Sequence, residues 1–276
     1  MKRLYILSIV AVMLMPMAVG AQTEEELAPE FCGRLSAGID KKIVKGLHVS
    51  LEEEIRMTDN FSKFGRFHTS VGMTYKVHNN IKLGLGYTLI NPYDSDDKSF
   101  KFRHRVYADI TGTLKPGKWN ISLKERLQLT HRSGNYNVYQ NPANALMLKS
   151  RLTFKYKGFA HVIPYAFVEI RSYHNAPVIS AAYDGSSYLP IPDSDQSSDT
   201  QGWFINGFNG AYINRVRTSL GMDIKLTKNH TLNIFFLADY VNDKVIDANA
   251  EGTKLKSYTR QTGFVGSIGI GYEFSF

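Results

Sequence analysis

The sequence predicts an all-β chain whose strands close into a transmembrane antiparallel β-barrel of ten to twelve strands, with short periplasmic turns and long extracellular loops. Three observations predict it. Apolar and polar residues alternate with a period of two along most of the chain. Helical periodicity is almost absent. The connections between alternating segments are short and long in turn, the mark of an outer-membrane barrel.

The elements follow in order. Phe31–Ile43 is a weak first segment. In LHVSLEEEIRM, Leu47, Val49, Leu51, Ile55 and Met57 share one face with Glu53, and His48, Ser50, Glu52, Glu54 and Arg56 share the other. FHTSVGMTYKV places Phe67, Val71, Met73, Tyr75 and Val77 opposite His68, Ser70, Gly72, Thr74 and Lys76, and IKLGLGYTL repeats the scheme. Further segments run from Phe100 to Leu114, Trp119 to Thr130, Leu146 to Tyr156, Val162 to Tyr173, Ala211 to Leu226, Leu232 to Val241 and Gly263 to Phe276. Each has the roughly ten residues that a tilted strand needs to cross a bilayer. Short connections fall at Val44-Lys45, 78–80, 115–118, Lys157-Gly158 and Lys228-Asn229. Long ones fall at 58–66, 91–99, 132–145, 174–209 and 242–258. Eleven segments conflict with the even strand number of single-chain bacterial barrels. Either Phe31–Ile43 lies in the lumen and ten strands close, or one more strand exists and twelve close.

The chain has 276 residues, with 16 Tyr, 16 Phe and 22 Gly, many of the glycines inside strands. Lys2 and Arg3 precede the apolar run LYILSIVAVMLMPMAVG, and Val19 and Ala21 supply small residues two apart. This reads as a secretory signal peptide over 1–21, followed by an N-terminal extension (22–30) and the barrel (31–276). The formal net charge of +8 falls by two, to +6, without Lys2 and Arg3. A single cysteine, Cys32, excludes an intrachain disulfide.

The final GFVGSIGIGYEFSF alternates strictly and stops on an aromatic. Backbone groups in lipid must pair within the protein, so only helices and closed barrels span, and aromatics at strand ends form interfacial girdles. Tyr272, Phe274 and Phe276 are expected to form the periplasmic girdle. The terminal aromatic also resembles the C-terminal signal read by barrel-insertion machinery.

The stretches FCGRLSAGIDKKIVKGLHVSLEEEIRMTDN and FGRFHTSVGMTYKVHNNIKLGLGYTLI resemble the N-terminal half of a Bacteroidetes-type outer-membrane barrel family of unknown function (domain of unknown function 2490). RVRTSLGMDIKL and GIGYEFSF match its later part in character. The resemblance spans roughly Phe31 to Phe276 and implies the fold and an outer-membrane location, with no assigned chemistry.

Charged residues on the inward parity form the main candidate site: Glu52, Glu54, Arg56, Arg103, Arg105, Arg126, Arg151, Glu169, Arg171, Arg215, Arg217 and Asp239, with Lys82, Lys101, Asp109, Lys124, Lys149, Asp223, Lys225 and Glu273. Two readings follow. A narrow lumen filled by paired charges stiffens the barrel, or a water-filled pore with a basic excess favours small anionic solutes. Glu53 and Glu125 break the pattern by falling on the apolar face. Local bulges that turn them inward, or positions near an interface, remove the cost. The functional alternative is an exterior site for a partner or a cation.

In LTHRSGN, His131 and Ser133 share a face at a strand end, where a histidine can activate a serine hydroxyl. Asn144 could orient the histidine. The pair resembles the His-x-Ser of outer-membrane phospholipases, but those continue Asn-Gly where this chain has Gly134-Asn135. A lipid hydrolase is therefore an alternative function, and surface recognition through 174–209 is a third. GLGYTL and GIGYEF lack the setting of a dinucleotide fingerprint. The eight histidines have no metal-ligand spacing, and the basic residues are dispersed rather than clustered for nucleic acid. The expectation is a passive outer-membrane barrel without cofactor or metal. Its partners are membrane lipid, the insertion machinery and a possible small solute.

Overall fold

A computed structural model describes residues 23–94, 98–133, 137, 140–180, 204–205, 207–249 and 255–276. The leader read at 1–21 and most of the 174–209 connection lie outside the described residues. The described chain is all-β, without helix.

Eleven strands form the wall: β2 (Glu30–Val44), β3 (Leu47–Thr58), β4 (Lys63–His78), β5 (Ile81–Asp94), β7 (Arg103–Leu114), β8 (Trp119–Arg132), β9 (Asn144–Tyr156), β10 (Val162–Ala176), β13 (Gly210–Lys225), β14 (His230–Ala248) and β15 (Leu255–Ser275). Four short strands are accessory: β1 (Thr23–Glu26), β6 (Ser99–Phe100), β11 (Ile179–Ser180) and β12 (Phe204–Ile205). Successive wall strands pair antiparallel. The sheet then closes through a parallel ladder between β15 and β2, from Val265↔Glu30 to Ser275↔Asp40. The wall therefore has an odd number of strands. Phe31–Ile43 is a full member of it, and neither the ten-strand nor the twelve-strand closure holds. Closure leaves the wall without a free edge, so its backbone groups find partners within the sheet.

The parallel seam has a geometric consequence. β2 and β15 both start at the long-connection end and finish at the short-turn end, and β1 continues the seam by pairing with Thr259–Thr262 of β15. Two connections differ from expectation. The one after β3 is a tight turn over 59–62, not a long loop, with positive φ at Asp59, Asn60 and Phe61. It is pinned to the start of β2, where Glu30 accepts the Asp59 amide at 2.6 Å and Asn60 Oδ1 accepts the Phe31 amide at 3.0 Å. The 242–258 stretch is also mostly strand. β14 and β15 continue past the wall as an arm with a register running out to Ala248↔Leu255. Asn137 and Gln140, from the connection after β8, bond to this arm at Ala248 O (3.0 Å) and Asp247 Oδ1 (2.8 Å).

The distribution of side chains is inverted relative to a soluble barrel. On β7 the burial alternates at every residue. Val106, Ile110 and Leu114 are at least half exposed on the outer face, while Arg103, Arg105, Tyr107 and Asp109 point inward. The most buried side chains are polar, namely Gln128, Asp239 and Ser267. Aromatic and polar residues bound the apolar outer face at both ends. Toward the long connections, the Tyr87 hydroxyl meets His104 Nδ1 at 2.7 Å, the His104 ring lies 6.4 Å from that of His131, and His131 Nδ1 meets Asn144 Oδ1 at 2.9 Å. Toward the turns, Trp119 packs on Tyr156, Phe274 stacks on Phe276 at 5.2 Å, and Lys41 Nζ lies 5.0 Å over the Phe276 ring.

Glycine on the inner face makes room for rings. In GLGYTL, a Cβ on Gly86 would collide with the ring of Tyr107 on β7. In GIGYEF, a Cβ on Gly269 would collide with the ring of Phe235 on β14. These glycines let an aromatic lie flat across the neighbouring strand. Gly269→Val is expected to displace Phe235 and cost about 1–3 kcal/mol, read as a lower urea midpoint of unfolding.

Candidate functional site: the charged lumen

The site follows from register. Arg151 on β9, Glu169 on β10, Arg217 on β13 and Asp239 on β14 face one another across three successive ladders, so one rung carries charges of alternating sign. The contacts are close. Arg151 Nε is 2.7 Å from Glu169 Oε2, Arg217 Nη1 is 3.3 Å from Glu169 Oε1, and Arg217 donates twice to Asp239, at 2.6 and 2.9 Å. Opposite charges directly across a ladder stabilise a sheet, and two-pronged arginine–carboxylate pairs are among the strongest. Asp239 is also approached by Arg34 and Arg215, each at 3.9 Å. A second two-pronged pair joins Arg126 to Asp109 at 2.6 and 2.7 Å, with the Arg126 guanidinium 3.8 Å over the Tyr107 ring. Arg56 pairs with Glu54, and His68 Nδ1 lies 3.7 Å from the same carboxylate.

Other predicted members stand apart from carboxylates. Arg105 donates to Thr130 Oγ1 at 3.0 Å and Arg171 to Asn214 Oδ1 at 2.8 Å. Among the described residues, Arg103 has no carboxylate within ion-pair distance. Lys101 lies between β6 and β7 and pairs with Asp94 at 3.8 Å, so it belongs to the rim rather than the lumen.

Among the described residues, three larger cavities stack inside the wall, with a small one of about 60 Å³ beside the waist at Arg126, Lys149 and Arg151. The one at the turn end, about 500 Å³, is lined by Lys155 and Lys225 against Asp40, Glu52, Asp223 and Glu273. The waist cavity, about 340 Å³, touches the ion-paired rungs and meets the first at Glu52 and Asn233. The cavity at the long-connection end, about 330 Å³, meets the waist at Arg105. Among the described residues its lining has seven cationic side chains and one carboxylate, Asp243. The lumen is thus graded from acidic at the turns to strongly basic at the other rim. Lys244 and Ile246 of the β14–β15 arm, with Asn141, line the basic cavity from the rim side.

The two outward glutamates are not turned inward. The ladders run without register shift through Glu53 and Glu125, both near the middle of their strands. Each accepts a hydroxyl hydrogen bond from the next strand, Glu53 from Thr69 at 2.9 Å and Glu125 from Ser150 at 2.6 Å. Neither the expected bulge nor a position near a strand end is found. A local hydrogen bond supplies the compensation instead.

Of the proposed His131, Ser133 and Asn144 set, the structure joins only the first and last. The Ser133 amide bonds to Phe102 O at 3.1 Å, and no hydrogen bond links its side chain to His131. A Ser–His contact does form nearby, between Ser172 Oγ and His174 Nε2 at 2.8 Å, which the sequence reading did not single out. The C-terminal aromatics stand on the outer face at the turn end, Tyr272 and Phe276 exposed, with the Tyr272 hydroxyl 2.5 Å from His230 Nδ1. Among the described residues no cluster of three or more His, Cys, Asp or Glu side chains is arranged to hold a metal.

Sequence reasoning missed Arg34, Arg66, Arg132 and Asp243. Arg34 and Arg66 continue the inward parity of strands whose starts were read as weak or late. Arg132 and Asp243 lie where strands outlast the apolar alternation.

No curated protein matches the chain. Residues 35–168, from β2 into β10, match the family described as Protein of unknown function (DUF2490).

Proposed function

We propose that this protein is an integral outer-membrane β-barrel, exported by its leader, whose charged lumen admits small anionic solutes. The observation that carries the reading is the inversion of polarity. A closed wall exposes a continuous apolar surface while arginines, lysines and carboxylates fill its interior. A contiguous apolar surface of this extent is untenable in water and suits hydrocarbon. Strands of 12 to 21 residues in the wall exceed the length that a tilted strand needs to cross a membrane, and aromatic belts at both ends of the apolar face fit the two interfaces. On this reading the long connections face outward, the turns face the periplasm, and Tyr272, Phe274 and Phe276 serve as the signal for insertion.

The basic excess at one rim favours anions over cations. The test is reconstitution into planar bilayers. Discrete conductance steps with an anion-selective reversal potential are expected. Silence at every salt concentration would leave a barrel stiffened by its ion pairs. Recovery of the mature chain from a detergent-free soluble fraction would remove the membrane reading itself.

A further inference from the structure

We infer that the basic cavity at the long-connection end is a binding site for a small multivalent oxyanion, a solute carrying two or more phosphate or carboxylate groups. Three features of the wall converge on it. First, the ladder places arginines directly opposite arginines: Arg66 faces Arg56, Arg103 faces Arg132, and Arg171 faces Arg215. Like charges directly across a ladder destabilise a sheet. The waist rung shows that this wall can alternate signs in the same register. The arrangement recurs on three pairs of strands, and five of the six arginines line one cavity (Arg56 lines the waist and pairs with Glu54), which is what an anionic guest would compensate.

Second, the guanidinium groups are underused by the protein. Among the described residues, Arg66, Arg103 and Arg132 have no carboxylate within ion-pair distance. The one carboxylate lining the cavity among the described residues, Asp243, is shared by Arg215 at 3.5 Å and Asn214 at 2.9 Å. Planar guanidinium forks match phosphate and carboxylate oxygens two at a time. Third, two buried donors lining the cavity have no acceptor among the described residues: the hydroxyl of Tyr173, a residue only 7% exposed, and Nε of Arg215. An unsatisfied buried donor is costly, and both belong to the same cavity as the unpaired arginines.

The chemistry points to a solute rather than a lipid, because the cavity lies within the wall. Its volume, about 330 Å³, is at the small end of ligand sites. The rings of Tyr173 and Tyr212, with centroids 5.9 Å apart, add an apolar wall suited to a carbon skeleton. This inference rests on the lumen of the proposed barrel but not on conduction.

The experiment is isothermal titration of the detergent-solubilised barrel with pyrophosphate, citrate and fructose 1,6-bisphosphate. Sodium chloride at matched ionic strength separates binding from screening. One-to-one binding of at least one of the three is expected, with a rise in thermal midpoint that chloride does not reproduce. Arg103→Gln and Arg132→Gln should each weaken binding about ten- to a hundred-fold, the scale of a lost charge-assisted bond. Without ligand, each should unfold no earlier than wild type, because a like-charge pair has been relieved. Lys155→Gln, at the turn end, should bind as wild type does. Absence of saturable binding to wild type by all three probes overturns the site. So does equal binding by the Arg103 and Lys155 variants. A barrel that conducts but does not bind removes this inference alone, and one that binds but does not conduct removes the pore alone.

Discussion

Asp239→Ala is expected to be the most damaging single substitution in the barrel wall, with a loss of about 3–5 kcal/mol. The carboxylate is 1% exposed and receives two bonds from Arg217, with Arg34 and Arg215 nearby. Removing it leaves three guanidinium groups facing one another inside the wall, and the unpaired charge costs more than the pair contributes. Arg217→Ala should be comparably harmful, since it strips both Asp239 and Glu169 of a partner. The measurement is urea unfolding in detergent, followed by the loss of heat-modifiable mobility on a gel. The double variant Arg217→Met with Asp239→Leu separates charge from packing. If the penalty comes from an orphaned charge, the double variant recovers most of the lost stability. If it remains as unstable as either single variant, shape at this rung matters more than charge.

The second large effect concerns selectivity. Changing Arg103 and Arg132 together to glutamate reverses four units of charge at the basic rim while leaving the waist rung intact. The anion-to-cation permeability ratio should fall by about tenfold, the lower end of what a charged cleft imposes on local ion concentration. The readout is the reversal potential under a salt gradient across a planar bilayer. Current through the wild type should also depend on the sign of the voltage, because the cavity at the turns carries more carboxylates than cations and the opposite cavity does the reverse. Identical reversal potentials for the wild type and the double variant would mean that ions do not pass the arginine cavity.

All eleven segments were legible in the sequence because a period of two stands out once one face is apolar throughout, but that Phe31–Ile43 joins the wall through a parallel seam was not. Their ends were less legible. β14 and β15 run beyond the apolar band as an arm, where Asp243, Lys244, Thr259 and Arg260 replace the alternation with polar residues on both faces. The tight turn at 59–62 was hidden because Asp59, Asn60 and Phe61 adopt positive φ without glycine. The paired charges could be listed by parity, but their partners required register. The sequence alone could not show that Arg217 faces Asp239, or that Arg103 faces Arg132, because strand stagger is set by closure around the whole wall. The outward glutamates show a related limit. Thr69 and Ser150 lie in other strands, so the bonds that accommodate Glu53 and Glu125 become visible only once the neighbours are aligned.

Odd closure has a consequence for sidedness. A wall of paired hairpins returns a polypeptide to the face from which it set out, but the parallel seam of β2 and β15 does not. Thr23 stands by the loop-bearing rim and Phe276 by the opposite one. If the wall spans the outer membrane as proposed, a reporter fused ahead of Thr23 and another behind Phe276 would stand on opposite sides of it, so one polypeptide would report on both faces of its own barrier.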